Sequence, residues 1–533
     1  MKIFLAGFMA AGKSTTAKII AEKKSFKFYD SDEIIEQREG KTITEIFNQD
    51  GEKYFRRVEK ETVLDLFNNK EDAVIALGGG AVLDDELRNI LIDEAEIFCI
   101  DVSAEEVIKR CEDSEIVRPL LEVENPLQKV RDLLNLRKNA YNEIPEHVDS
   151  GSKNPEEVAE IIMNKLPAQK LRIEIKNQDT KYPVIIDKNF KESTFNKLLA
   201  RIKGRKVLLT ADKKAAALHG DPVIAQIKAE AEVVEYYLEA GEKIKDLEYL
   251  EKAYELLYEN NFTRSDYLIA FGGGTIGDLS GFIAATYLRG LKLFQFPTTL
   301  ISQLDSSVGG KTAVNYRDTK NLIGSFYQPD AVYYQIDWLK TLEKGELKSG
   351  LGEVIKYGIL GGDPLFTMLE ENKDKILNLD YELMLKISKI SLEMKNYYVA
   401  ADVKDKGLRK KLNLGHSFGH AVEGAEKFKY KHGEAVVMGI AFTAFLSNKI
   451  GVLAESSFRR IIKLLQDYNY SLFPARDIKT DKLSYYLSHD KKISDSKMWW
   501  VLINDIGDTY LSDRFNHKNI KGYLEEYLCR EWL

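Results

Sequence analysis

Eight residues near the start of the chain, Gly7 to Ser14 (GFMAAGKS), fit the pattern G-x-x-x-x-G-K-[ST]. Such a loop grips phosphate. Its glycines let backbone N–H groups close round a β-phosphate, Lys13 reaches the β and γ oxygens, and the Ser14 hydroxyl serves Mg²⁺ at a helix N-terminus. The context also fits, because KIFLAGF is a strand-length apolar run and TTAKIIAEKK has helical period. Further on, Asp30 and Asp32 in FYDSDEIIE stand two apart at a strand end and so face the same side. One could hold Mg²⁺ through water while the other takes a substrate hydroxyl. The bland alternative is an acid that caps a helix.

A second set of reactive residues lies far downstream. The chain has only 7 histidines, and three of them, His416, His420 and His432, fall within LNLGHSFGHAVEGAEKFKYKHGEAVVMG. On a helix, His416 and His420 at i,i+4 share one face, as in many zinc sites. With Glu353 of GLGEVIKYG as an oxygen ligand, two imidazoles and a carboxylate leave an open position suited to catalytic Zn²⁺. Hydrogen-bonded core histidines are the alternative. Between the two sets lies GGGTIGDLSG, where Gly272, Gly274 and Gly277 satisfy G-x-G-x-x-G after the strand-like YLIAF. The acid expected about 20 residues later to hold a ribose is missing, so the dinucleotide fingerprint is incomplete. Asp212 in LLTAD and Glu242 in AGEKIK are candidates to replace it.

The elements that must carry these groups follow from pattern. Residues 1–168 alternate short apolar runs (KIFLAGF, AVIALGGG, EIFCIDV) with helical stretches, the mark of a parallel sheet covered by helices. Pro167 stops a helix, and a new alternating α/β run occupies 169–335. From 336 to 533 helical patterns such as YELMLKISKISLEMKNYYVAADV dominate. The expectation is an α/β chain of three parts: a parallel sheet domain with the phosphate loop, an α/β nucleotide-binding subdomain and a helical metal-binding subdomain.

Composition agrees and excludes other classes. With 533 residues, 44% apolar, several domains with real cores are expected. The charge of −7, from 77 Lys plus Arg against 84 Asp plus Glu, argues against a nucleic-acid or membrane-surface partner, since both need a dominant positive field. Three scattered cysteines fit a reducing, cytoplasmic setting, and no apolar run reaches the length of a membrane span.

Residues 1 to about 165 resemble shikimate kinase. The matching pieces are the phosphate loop, Asp30 and Asp32, Arg56 in EKYFRRVE, Gly78 to Gly80 in ALGGGAV, RPLL from Arg118, and Arg137 in RKNAY. The resemblance implies ATP with Mg²⁺ held by Gly7, Gly12, Lys13, Ser14 and Thr15, with Asp30 serving the ion. Asp32 would bind shikimate hydroxyls and Arg56 and Arg137 its carboxylate, with Gly79 and Gly80 against the ring and Arg118 on a lid over the transferring phosphate. These residue types suit the chemistry, since arginine forks grip carboxylates bidentately.

From about residue 170 onward the chain resembles 3-dehydroquinate synthase, through FGGGTIGDLSGFIAATYLRG, FPTTLISQLDSSVGGKTAVN, KNLIGSFYQP, GLGEVIKYG, LRKKLNLGHSFGH, KHGEAV and the late HDKK. That resemblance implies Glu353, His416 and His432 as ligands of Zn²⁺ or Co²⁺, leaving His420 as a catalytic group beside the ion. Asp305, Lys311, Asn321, Lys356, Arg289, Lys395, Arg409 and Asn413 would line the substrate site, with Lys491 or Lys492 as a further contact. NAD would lie against Gly273, Gly274, Asp278, Thr298 and Thr299, with Asp212, Glu242 and Lys245 near it. The implied reaction oxidises a ring hydroxyl, expels phosphate, reduces the ketone again and closes the ring. The resemblance also implies a homodimer through this part. Two stretches depart from the family: D-E-x-E reads Asp402, Val403, Lys404, Asp405, and LLAQVD reads LISQLD. Rival readings are a cyclase acting on another sugar phosphate, or one module that has lost its chemistry.

Overall fold

The computed structural model describes residues 2–69, 71–112, 125–166, 171–177, 180–188, 190, 192–239, 241–317, 319–427, 429–476, 478–488 and 499–532. They form two compact units, one over 1–169 with 191–197 and the other over 170–190 with 198–533.

In the first unit, β1 (Lys2–Gly7), β2 (Lys27–Asp30), β3 (Ala73–Ala76), β4 (Glu96–Asp101) and β5 (Glu146–Asp149) form one sheet in the order β2-β3-β1-β4-β5. Every neighbouring pair is parallel. Alternation along the strands divides the apolar side chains between two faces. Phe4, Ala6, Ile75 and Cys99 pack beneath helices Glu52–Asn68 and Pro126–Asn142 through Val63, Leu66, Val130 and Tyr141. Ile3, Leu5, Val74 and Phe98 pack beneath helices Lys13–Lys24 and Pro155–Lys165 through Ala17, Ile20, Ala159 and Ile162. Strands buried on both faces need unbroken apolar runs, which is what KIFLAG and AVIA supply.

The second unit is built on seven strands: β6 (Leu171–Lys176), β7 (Lys181–Ile186), β8 (Lys206–Asp212), β9 (Glu232–Leu238), β10 (Tyr267–Gly272), β11 (Lys292–Pro297) and β14 (Ala331–Tyr334), in the order β6-β7-β14-β11-β10-β8-β9. Only β6 runs antiparallel, on the edge. Between β11 and β14 the chain makes a hairpin, β12 (Lys311–Tyr316) and β13 (Thr319–Phe326). Beyond residue 336 helices dominate, as the periodicity predicts. A hairpin of β15 (Trp500–Asp505) and β16 (Asp508–Ser512) is added that the helical reading did not contain. The helix His432–Lys449 is buried on nearly every side, so its sequence carries little amphipathic signal. Among the described residues, no helix is long and apolar enough to cross a membrane.

Candidate active sites

At the carboxyl end of β1 the phosphate loop wraps round Lys13, whose Nζ donates to the carbonyls of Gly7 and Phe8 at 2.9 Å each. Gly12, with φ 90°, starts helix Lys13–Lys24. The Ser14 hydroxyl donates to Asp30 Oδ2 at 2.5 Å, while Asp30 Oδ1 accepts from the Asp32 backbone at 3.0 Å. Asp30 therefore caps a helix and partners the loop serine at once, so the two readings of it are compatible. This hydroxyl–carboxylate pair has the hard oxygen donors that suit Mg²⁺.

Beside the loop, the three glycines form a floor on which the other predicted residues meet. A Cβ on Gly78 would stand 2.4 Å from Asp32 Oδ1, and one on Gly80 would stand 2.2 Å from Arg56 Nη1. Arg137 Nη1 donates to the Gly79 carbonyl at 2.8 Å and stacks over Phe8 at 5.4 Å. Two guanidinium groups and one carboxylate thus converge on one bare stretch of backbone. Asp32 Oδ1 is buried with no hydrogen-bond partner among the described residues. Burial, together with Asp30 and Glu59 and against Lys13, pushes its carboxyl up to about 6.

Two members of this site escaped the sequence reading. Glu59 Oε2 accepts from Arg56 Nη1 at 2.7 Å, and the Tyr141 hydroxyl donates to Gly79 at 2.7 Å. Glu59 stands at i+3 from Arg56, a spacing that could have flagged it. Arg118 lies outside the described residues.

In the second unit, Glu353 Oε1 lies 3.7 Å from His416 Nε2 and 3.4 Å from His432 Nε2. These distances match the edge of a tetrahedron with bonds of about 2.0–2.1 Å, roughly 3.3 Å. The donor set therefore fits a divalent ion. His416 Nδ1 faces the Leu414 carbonyl at 3.1 Å and His432 Nδ1 faces Glu423 Oε2 at 3.5 Å, so each ring presents Nε2 inward. Burial alone would lower His432, but Glu353 and Glu423 push it up to about 10. Glu423 was not foreseen. The i,i+4 pairing is only part of the arrangement: the His420 ring is 5.6 Å from His416 and 6.0 Å from His432.

Glycines allow this convergence. A Cβ on Gly433 would stand 1.8 Å from the Ser349 carbonyl, and one on Gly439 would stand 1.8 Å from that of Gly415. Helix Lys344–Gly361, which carries Glu353, can reach the start of His432–Lys449 only because position 433 has no side chain.

Cationic groups crowd the same region. Lys356 Nζ is 2.5 Å from Glu353 Oε2, and both residues are about 1% exposed. A π-helical turn, Ser302–Ser306, carries Asp305, whose Oδ1 accepts from Tyr357 at 2.5 Å and Lys395 at 2.7 Å. Despite burial, Lys395 and Lys356 hold Asp305 well below the usual carboxylate range. Burial, reinforced by Arg409 and Lys356 and opposed by Asp305, lowers Lys395 to about 8. Arg409 donates to Val403 O at 2.8 Å and Gly309 O at 3.1 Å. Lys311 pairs with Asp405, inside the stretch that departs from the family pattern. Asn413 ends the 3-10 turn Leu408–Asn413 that carries Arg409.

The glycine turn after β10 makes a further cleft lined by Gly272, Gly273, Gly274, Gly277, Ser302 and Ser306. Gly273 caps helix Gly274–Thr286, a bare N-terminus suited to a pyrophosphate. Thr298 N donates to Gly272 O at 3.0 Å, and Thr299 Oγ1 shares a hydrogen bond with Ser302 at 2.8 Å. Asp212, at the end of β8, caps helix Lys213–His219, with its Cβ 3.1 Å from where one on Gly272 would lie. Lys245 bonds Asp278 at 2.6 Å and also Asn321, and Glu242 accepts from Asn315 at 2.9 Å. Arg289 stands apart, exposed at φ 66°, with no hydrogen bond to these groups among the described residues. Lys491 and Lys492 lie outside the described residues.

Comparison with known proteins places each unit. The shikimate kinase family model matches residues 9–167, the 3-dehydroquinate synthase N-terminal model 235–349, and its C-terminal model 350–493. The 3-dehydroquinate synthase of Desulforamulus reducens is 39% identical over 347 residues, 65% of this chain and 97% of its own length. That of Prochlorococcus marinus is 40% identical over 329 residues, 61% of this chain and 89% of its own. ValA, a 2-epi-5-epi-valiolone synthase from Streptomyces hygroscopicus subsp. jinggangensis 5008 solved with NAD⁺ and Zn²⁺ bound, shares the fold. Its TM-score is 0.61 at 23% identity, over 67% of this chain and 99% of that one. The chain belongs to the 3-dehydroquinate synthase family and carries a shikimate kinase domain ahead of its synthase part.

Proposed function

We propose that this chain catalyses two non-consecutive steps of aromatic precursor synthesis. The first unit phosphorylates the 3-hydroxyl of shikimate with ATP and Mg²⁺. The second converts 3-deoxy-D-arabino-heptulosonate 7-phosphate to 3-dehydroquinate and phosphate, using NAD and Zn²⁺ or Co²⁺. The observation that carries the reading is the Glu353–His416–His432 triangle beside the buried Lys356 and Lys395 and the half-buried Asp305. Division into 1–168, 169–335 and 336–533, a homodimer through the synthase part, and a cytoplasmic setting belong to the same proposal.

In the kinase site, Arg56 and Arg137 hold the shikimate carboxylate over Gly79 and Gly80, and Asp32 accepts a proton from the attacking hydroxyl. Lys13 neutralises charge on the β and γ oxygens, and Ser14 with Asp30 holds the metal. In the synthase site, Glu353, His416 and His432 hold the divalent ion. Gly273, Gly274, Thr298 and Thr299 hold NAD, with Asp278, Lys245, Glu242 and Asp212 beside them. When bound, the nicotinamide and the ion supply hydride exchange and oxygen polarisation. Lys356, Lys395, Arg409 and Asn413 orient the carboxylate and hydroxyls of the sugar acid. Lys311 and Asn321 bind its phosphate. Asp305, kept ionised, fixes Lys395, and His420 exchanges a proton with the substrate.

The test uses the intact chain and two variants in both assays. Glu353→Gln should lose synthase turnover and about one equivalent of bound metal while phosphorylating shikimate normally. Lys13→Met should do the reverse. A Glu353→Gln chain that binds as many equivalents of metal as the parent refutes the ligand assignment, and an intact chain inactive on either substrate refutes that half of the function.

A further inference from the structure

The first unit holds a cluster that neither proposed reaction uses. Cys99 on β4 pairs in register with His147 on the neighbouring β5, and Asp101 lies two residues beyond Cys99 on the same side of the strand. The Cys99 thiol donates to Asp101 Oδ1 at 3.6 Å, and His147 Nδ1 lies 2.8 Å from Asp101 Oδ2. All three donors fall within 4.8 Å of one another. Cys99 is fully buried, whereas the His147 side chain is a third exposed, which leaves one side open to water.

We propose that Cys99, Asp101 and His147 form a second metal site, in the kinase unit, selective for a borderline-soft divalent cation such as Zn²⁺ or Co²⁺. A tetrahedral ion with an S bond of about 2.3 Å and N and O bonds of about 2.0–2.1 Å has edges near 3.6 Å for S–O and 3.3 Å for N–O. The sulfur lies 3.6 Å from Asp101 Oδ1 and the imidazole Nδ1 2.8 Å from Oδ2, so the carboxylate stands between the other two donors, with one ligand atom of each residue within 4.8 Å of the rest. Binding exchanges the thiol proton for the ion: the S–H bond breaks, the proton leaves to solvent, and an S–metal bond forms. Thiolate and carboxylate together cancel the ion's two charges, which suits a half-buried position. The pairing of Nδ1 with Asp101 holds the imidazole beside the sulfur before an ion arrives. An ion here would also brace the phosphate loop, because Ile100, between Cys99 and Asp101, is the residue against whose carbonyl Gly7 packs.

The sulfur separates this site from the Glu353 site, which has only nitrogen and oxygen donors. The intact chain, stripped of metal and reduced, is titrated with Co²⁺. We expect a near-ultraviolet thiolate-to-cobalt charge-transfer band that saturates at one ion per chain, in addition to the visible bands of the nitrogen and oxygen site. Cys99→Val should abolish that band with the visible bands retained. His147→Gln, at a position one-third exposed, should weaken its loading by at least about tenfold with the visible bands of the other site retained. Absence of the band from the parent, its persistence in Cys99→Val, or undiminished affinity in His147→Gln would overturn the proposal.

Discussion

Asp32 offers the sharpest test of how the kinase pocket was built. Burial and two neighbouring carboxylates raise its carboxyl from an ordinary 3.8 to about 6. A group that binds its proton more tightly when folded favours the fold while protonated. Its contribution is therefore best below about pH 4, declines as pH rises toward 6, and is fully unfavourable above that. At about 1.4 kcal/mol per pH unit, ionised Asp32 costs the unit up to about 3 kcal/mol at neutral pH. Asp32→Asn should recover most of this above pH 6 and nothing below pH 4. It should also depress shikimate phosphorylation by about 10²–10⁴-fold through loss of the acceptor. Tryptophan fluorescence cannot follow the change, because all 4 tryptophans, Trp338, Trp499, Trp500 and Trp532, lie in the other unit. Hydrogen exchange of β3 and of helix Glu52–Asn68 within the intact chain can. Protection in the Asp32→Asn variant no greater than in the parent at pH 8, or a gain of equal size at pH 4, would refute the argument.

Two further outcomes follow from the second unit. Gly433→Ala places a Cβ 1.8 Å from the Ser349 carbonyl, so the helices bearing Glu353 and His432 must separate. Tryptophan-monitored unfolding should show about 1–3 kcal/mol lost and metal content should fall together, and a variant with parental midpoint and full metal would count against the packing account. Lys395, lowered to about 8, should lose its charge as pH rises through that value. Synthase kcat/KM should decline above about pH 8 and Lys395→Arg should move that decline upward, whereas a parent profile flat through about pH 9 would contradict the assignment.

Sequence reading captured the residues whose type alone dictates chemistry. A glycine loop ending in Lys13 and Ser14, or histidines gathered in a chain with few of them, constrain their surroundings strongly. It missed partners defined only by folding. Glu59 and Tyr141 sit on amphipathic helices, where an acid and a half-apolar aromatic look ordinary, and Glu423 follows the histidine motif like any helical glutamate. Spacing placed His416 and His420 on one helix face, but could not reveal that Glu353 and His432 arrive from two other helices. That convergence depends on Gly433 and Gly439, and the need for a missing side chain is invisible without the opposing backbone. The β15–β16 hairpin was lost for a related reason: Trp500–Ile503 is a short apolar run that, inside a helical region, has no period of its own.

The π-helical turn at Ser302–Ser306 carries one more residue than an α-helical path over the same span would need. Asp305 owes its aim to that surplus. Removing a single residue upstream within the turn would let the backbone relax into ordinary register, swinging the carboxylate about 100° round the axis and away from Tyr357 and Lys395. The aim of Asp305 therefore depends on the count of residues at that point, so a one-codon deletion should be more damaging there than most substitutions.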